Sequence, residues 1–127
     1  MQPTAGAVLY AADATRLSAF YARVAGLEPH HAVDEYVQLR FANFELVILT
    51  TRQSRAAGGD AAHPPPRRAD VAIKPVFYVP DLAVARTIAA ELGGGVESAA
   101  AEWPFENSTV CDGFDPEGNV FQLRALR

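Results

Sequence analysis

Hydrophobic and polar positions along this chain follow helical and strand periods, and the whole pattern occurs twice. Val8-Leu9-Tyr10-Ala11-Ala12-Asp13 leads into a stretch where Leu17, Phe20, Tyr21 and Val24 fall at i, i+3, i+4 and i+7, one apolar face of a helix. Val76-Phe77-Tyr78-Val79-Pro80-Asp81 leads into Ala85, Ile88, Ala89 and Leu92 at the same spacing. The shift between copies is constant at 68 residues, from Tyr10 to Tyr78 and from Asp13 to Asp81. Asp13 and Asp81 stand where helix N-caps belong, and Gly26 and the run Gly93-Gly94-Gly95 stand just past the last periodic residues.

After the first helix, 28–33 and 35–41 alternate as two strands, with Tyr36, Gln38 and Arg40 on one face and Val37, Leu39 and Phe41 on the other. A fourth strand spans 44–50. The second copy supplies strands at 96–101, 108–114 and 120–124, the last two joined by Asp115-Pro116-Glu117-Gly118-Asn119. The pattern predicts an α+β protein of two paired βαβββ modules, about 5–50 and 71–127, forming a curved, barrel-like mixed sheet around a cavity. Between them, 51–70 holds Gly58-Gly59, Pro64-Pro65-Pro66 and Arg52, Arg55, Arg67 and Arg68 with no apolar periodicity, which reads as a linker whose arginines are solvated. Its twenty residues span up to about 66 Å when extended, so its length allows the modules to pair within one chain or between two.

Composition narrows the function classes. The chain has 127 residues, half of them hydrophobic, enough for one domain with its own core. Eleven basic against fifteen acidic side chains give a net charge of −4, which argues against a surface that tracks nucleic-acid phosphates. No apolar run approaches the roughly 20 residues of a membrane span, no basic-then-apolar leader opens the chain, and one cysteine excludes an internal disulfide. A cytoplasmic protein is expected, with no membrane or nucleic-acid partner. Cys111, on a strand beside Asp112, lacks the histidine or helix N-terminus that would activate a thiol and reads as a small buried hydrophobe. Gly93-Gly94-Gly95 follows a helix instead of opening one, so it is no phosphate loop.

The segment Leu17 to Leu27 resembles the "FY…LGL" helix, and Asp115-Pro116-Glu117-Gly118-Asn119-Val120-Phe121-Gln122-Leu123 resembles the "DPxGNxxxL" close, of the vicinal oxygen chelate superfamily. That group includes glyoxalase I, extradiol dioxygenases, and fosfomycin- and bleomycin-resistance proteins. The turn itself has a structural rationale: Asp115 caps backbone two residues on, Pro116 presets φ, and Gly118-Asn119 tolerate positive φ. In metal-dependent members the resemblance implies one ligand from the first and one from the fourth strand of each half, usually His, Glu or Gln. Alignment through the two aspartates and the Asp115-Pro116 turn puts Gly6, Ile48, Lys74 and Gln122 there, and only Gln122 can ligate. His30 and His31 are adjacent in a strand and face opposite ways, and His63 lies in the linker. No metal or other cofactor is expected.

The nearest resemblance is to the metal-free bleomycin-resistance-like members. With the anchor positions facing inward, Tyr10, Val8, Phe44, Leu46, Ile48, Val76, Tyr78, Val120 and Arg124 share the concave side, Lys74 and Gln122 are its polar groups, and Trp103-Pro104-Phe105-Glu106 forms an aromatic loop beside it. Phe20, Tyr21, Phe77 and Phe121 read as ordinary core. The expected function is metal-independent binding of a small apolar or planar aromatic molecule, as in antibiotic sequestration, with a glyoxalase-like lyase or isomerase as the alternative. The ligand is expected to carry an acidic or carbonyl group near Lys74, because a contact charge in a poorly solvated site outweighs a surface field screened beyond about 8 Å. A homodimer is expected to cover sheet edges and apolar faces.

Overall fold

In a computed structural model, which describes residues 2–58 and 66–127, the chain divides into two compact units, Met1–His63 and Pro64–Arg127. His63, Gly59, Pro64 and Pro65 lie outside the described residues. Both units are α+β. The first contains β1 (Ala5–Tyr10), α1 (Ala14–Val24), β2 (Glu28–Ala32), β3 (Tyr36–Phe41), β4 (Phe44–Leu49) and α2 (Arg52–Gly58). Its sheet runs β1-β4-β3-β2, with β1 parallel to β4 and the other pairs antiparallel. The second contains β5 (Val76–Tyr78), α3 (Leu82–Glu91), β6 (Gly95–Val96), a 3-10 turn at Ala99–Ala101, β7 (Trp103–Phe105), β8 (Ser108–Phe114) and β9 (Val120–Leu126). Its five-stranded sheet runs β5-β9-β8-β6, with β7 also paired to β8.

α1 and α3 start where the sequence places them. Asp13 accepts from Arg16 N at 3.0 Å and Asp81 from Val84 N at 3.1 Å, each satisfying an orphan amide of a first turn. Beyond the C-caps Ala25 and Leu92, Gly26 and Gly93 take φ of +73° and +89°, a region open to residues without a Cβ. Leu17, Phe20, Tyr21 and Val24 are all buried; in α3, Ala85 and Ala89 are buried while Ile88 and Leu92 are half-buried.

Which sheet face the helix covers is settled by hydrogen bonds. Ala14 N, opening α1, donates to Thr50 Oγ1 at 3.2 Å. Thr50 shares its side of the strand with Ile48 and Leu46, which pair with Val37 and Leu39, and all of these are buried. Phe44, Leu46 and Ile48, expected on the concave side, therefore belong to the helix-covered face. The opposite face carries Glu45, Val47 and Leu49. In the second unit, Arg86 of α3 reaches Cys111, which pairs with Leu123, so Cys111, Leu123, Phe121 and Phe77 face the helix and Asp112, Gln122, Arg124, Val76 and Tyr78 face away.

The misplacement of β4 is a slip of one residue. Tyr10 pairs with Leu49 and Tyr78 with Arg124, so the fourth strands correspond at a shift of 75, not the 74 that sets Ile48 against Gln122, and Gln122 corresponds to Val47. Two-residue Ala42-Asn43 joins β3 to β4, whereas the buried Asp115 turn joins β8 to β9, so the turn that anchored the alignment has no counterpart in the first unit. A slip of one residue moves a whole strand's side chains to the other face.

Three local expectations change. Trp103–Phe105 is a strand, not a loop; Pro104 is tolerated because β7 is paired with β8 alone. The strand expected at 96–101 is two residues long and gives way to the 3-10 turn. The linker is partly built. Thr51 and Ser54 exchange N–H to Oγ bonds at 2.7 and 2.9 Å, opening α2 with a reciprocal cap, and Ser54 Oγ donates to Ala11 O at 2.8 Å. Arg67 is not simply solvated, since its guanidinium lies 3.9 Å from the Phe114 ring centre and pairs with Glu97.

The face assignment has a direct test. Ile48→Ala should cost about 2–5 kcal/mol of unfolding free energy, as for a fully buried aliphatic, and Val47→Ala less than about 1.5 kcal/mol. Comparable shifts in denaturant midpoint for the two variants would return Ile48 to the open face.

Candidate functional site

The helix-free face of the second unit brings chemistry-bearing side chains together in two rows across the strands. One row runs Trp103, Val110, Arg124 and Tyr78, on β7, β8, β9 and β5; the next runs Asp112, Gln122 and Val76, on β8, β9 and β5. Lys74 precedes β5 and joins the second row through Asp112, with Nζ 3.0 Å from Oδ1. Val110, in the middle of the first row, is buried, while Tyr78, Val76, Trp103 and Phe105 are exposed, Tyr78 by 55% and Phe105 by 47%.

Arg124 is the centre of this face. Its Nε donates to Gln122 Oε1 at 2.9 Å and its Nη1 to Tyr78 Oη at 3.4 Å. The guanidinium carbon lies 4.8 Å from the Phe105 ring centre and 6.0 Å from that of Tyr78, distances at which a cation is attracted by a ring's quadrupole. Two aromatic side chains and one amide thus orient a planar cation. Tyr78, Phe105, Trp103, Val76, Gln122 and Lys74, all expected at a binding site, do share this face or its β7 edge. Lys74, however, finds its counter-charge in Asp112, so the reason for an acidic ligand group beside Lys74 does not hold.

The equivalent face of the first unit has a different chemistry. Its rows are Tyr36, Leu49 and Tyr10, then Gln38, Val47 and Val8, then Arg40, Glu45 and Gly6. Tyr10 is 61% exposed. Glu45 accepts from Gln38 Nε2 and lies 3.7 Å from Arg40 Nη2. Hydrocarbon stands where the second unit has Gln122 and Arg124.

The metal positions of the wider superfamily do not fit an ion here. A Cβ at Gly6 would lie 2.6 Å from Glu45 O, so no ligating side chain can be placed there without moving backbone. The β4 position, Val47, is hydrocarbon; Ile48, assigned to it from sequence, is in the core. In the second unit Lys74 is an ammonium in an ion pair, and the Gln122 carbonyl already accepts from Arg124. One neutral oxygen beside a guanidinium is no donor set for Zn²⁺, Ni²⁺ or Fe²⁺. Among the described residues, no three His, Cys, Asp or Glu side chains gather in a cluster that could hold a metal.

On the other face, Arg86 binds the segment leading into β7. Its Nε donates to Glu97 O at 2.7 Å and its Nη2 to Glu102 Oε2 at 2.6 Å, a pair that raises the guanidinium pKa. Cys111 is fully buried against it, with Sγ 3.8 Å from Nη2 and 3.4 Å from Glu97 O. Burial pushes the thiol pKa up, and Arg86 offsets only part of that. Cys111 is a packed side chain, as its sequence setting indicated.

The fold agrees with the comparisons. The glyoxalase-like domain family matches residues 6–124, and the chain belongs to that family. Similar solved structures include a glyoxalase/bleomycin resistance protein/dioxygenase family enzyme from Burkholderia phytofirmans PsJN, at 15% identity, TM-score 0.68, covering 96% of this chain and 97% of that one. A lactoylglutathione lyase from Agrobacterium tumefaciens has 26% identity, TM-score 0.59 and coverage of 94% and 90%. A fosfomycin resistance protein from Mesorhizobium loti has 12% identity, TM-score 0.63 and coverage of 94% and 88%. No curated protein matches the sequence. The vicinal oxygen chelate resemblance is thereby confirmed at the level of family and fold. Among the described residues no helix is long and apolar enough to cross a membrane.

The thiol predicts a pH dependence with a definite sign. A folded-state pKa raised above the unfolded value gives stability that is full below about pH 8.5 and is lost as pH rises through the folded pKa, because the unfolded chain releases the proton first. The melting temperature should fall between neutral and strongly alkaline pH, and Cys111→Ala should flatten part of that slope. An identical slope in the variant would contradict it.

Proposed function

We propose that this protein binds a small, planar, largely apolar molecule without a metal and without turning it over, in the manner of a sequestering resistance protein. The observation that carries this reading is the aromatic face of the second unit, where exposed Tyr78, Trp103 and Phe105 surround Gln122 and Arg124 while three of the superfamily's four metal positions hold Gly6, Val47 and an ion-paired Lys74, leaving Gln122 as a single neutral donor. Exposed rings on a soluble sheet face cost solvation and are recovered by stacking, which is worth about 0.5–1.5 kcal/mol per ring pair beyond burial. Resistance proteins among the structural neighbours lend the reading support at the level of fold. Cytoplasmic sequestration is the setting proposed for it.

Trp103 is the chain's one tryptophan and lies on this face, so its fluorescence reports occupancy. Titration with a panel of planar antibiotics, bleomycin included, should give saturable quenching and a rise in melting temperature, both unchanged by chelator. Stoichiometric transition metal in the purified protein, or catalytic conversion of a bound compound, would instead support a lyase or isomerase.

A homodimer is proposed to cover part of the exposed apolar surface, which includes Val8, Tyr10, Phe41 and Leu126. Light scattering should give twice 13.6 kDa at micromolar concentration. A monomer would overturn this.

A further inference from the structure

We infer that the ligand is an anion, a flat molecule bearing a carboxylate, and that Arg124 is the residue that selects it; this rests on the binding reading above. A guanidinium has five N–H donors. In Arg124 one goes to Gln122 Oε1 and one to Tyr78 Oη, both neutral acceptors, which leaves the second N–H of Nη1 and both of Nη2 for a ligand. No carboxylate among the described residues pairs with Arg124, although the strand beside it supplies Asp112 to Lys74 one row away. The same sheet face therefore holds one cation that is neutralised and one that is not.

The unneutralised cation is also the one that is held still. Gln122 fixes Nε, and Phe105 and Tyr78 flank the guanidinium carbon, so the plane of the fork is set before a ligand arrives. A preoriented planar fork matches the two oxygens of a carboxylate, which a lysine ammonium cannot do. Ordering the side chain in advance removes an entropic cost from binding. The rings that hold the fork are themselves exposed, and would stack on the planar body to which the carboxylate is attached.

The test compares three probes of one shape by calorimetry on the full chain: naphthoate, neutral naphthamide and cationic naphthylmethylammonium. Naphthoate should bind at least about tenfold more tightly than naphthamide, a difference of about 1.4 kcal/mol, and the cation most weakly. The naphthoate preference should shrink with added salt, since the contact is charged. Arg124→Met should bring the naphthoate-to-naphthamide ratio close to one, and Arg124→Lys should restore only part of it. Should the methionine variant fail to fold, the wild-type ratio, its salt dependence and the lysine variant still decide the matter. Equal binding of naphthoate and naphthamide, tightest binding of the cation, or a preference surviving in Arg124→Met would overturn the anion assignment and leave planar binding standing. No heat from any probe, with no quenching of Trp103, would overturn both.

Discussion

One amphipathic helix packs on each sheet here, α1 in the first unit and α3 in the second, and a single helix can seal only one face of a sheet. The seal is made by specific contacts: Ala14 N on Thr50 Oγ1 above the Leu39, Leu46 and Ile48 layer in the first unit, and Arg86 against Cys111 beside Leu123 in the second. Because strand side chains alternate strictly, fixing the buried face also fixes the other. Every polar or aromatic group that can meet a ligand must then sit at the opposite parity. The two rows through Arg124 and Gln122 are a consequence of where α3 lies, as much as of the residues themselves.

The two units use this arrangement to different ends. Tyr10 corresponds to Tyr78 and Val8 to Val76, so the first strands have kept the same character. The fourth strands have not: Leu49 and Val47 stand where Arg124 and Gln122 stand. A leucine at that register gives the first unit a passive apolar row between two tyrosines, whereas an arginine gives the second a directional donor between an aromatic pair. The duplication supplies a scaffold twice, and the two copies carry different side chains at the same register. Asp115 contributes from a distance, since its buried carboxylate accepts from Glu117 N, Asn119 N and Asn119 Nδ2 and so sets the register in which β9 leaves the turn.

The repeat, both helices, both aspartate caps and the Asp115 turn were legible in the sequence because each rests on local chemistry that needs no partner. The β4 face was not, because parity is a property of pairing: counting along the chain from one turn fails by one residue when the other unit closes its hairpin with Ala42-Asn43. β7 escaped notice for a related reason, as a proline-containing triplet has no strand signal until β8 is beside it. The cap at Thr51 and Ser54 was readable in principle, a reciprocal pair of hydroxyl residues three apart, but seven helical residues carry no apolar period to announce it. Of the candidate site, strand alternation puts Tyr78, and the family resemblance puts Phe105 and Gln122, among the expected residues. Arg124 was placed on the right face, yet its importance depends on distances to two rings and on Asp112 choosing Lys74 instead.

That pairing leaves Arg124 without a carboxylate partner among the described residues. Burying part of a cation among aromatic rings costs hydration, and the cheapest remedy is a carboxylate on a neighbouring strand. The sheet shows that it can supply one, since Asp112 meets Lys74 at 3.0 Å in the adjacent row. Opposite Arg124 on β8 it places Val110 instead, a buried hydrocarbon that cannot accept a hydrogen bond. The ring contacts and the Gln122 carbonyl hold the guanidinium in place without cancelling its charge. With a chain of net charge −4, a positive point that survives at the centre of an aromatic face is a local feature opposed to the global field. At contact distance the local charge prevails, because the global field is screened within about 8 Å at physiological salt.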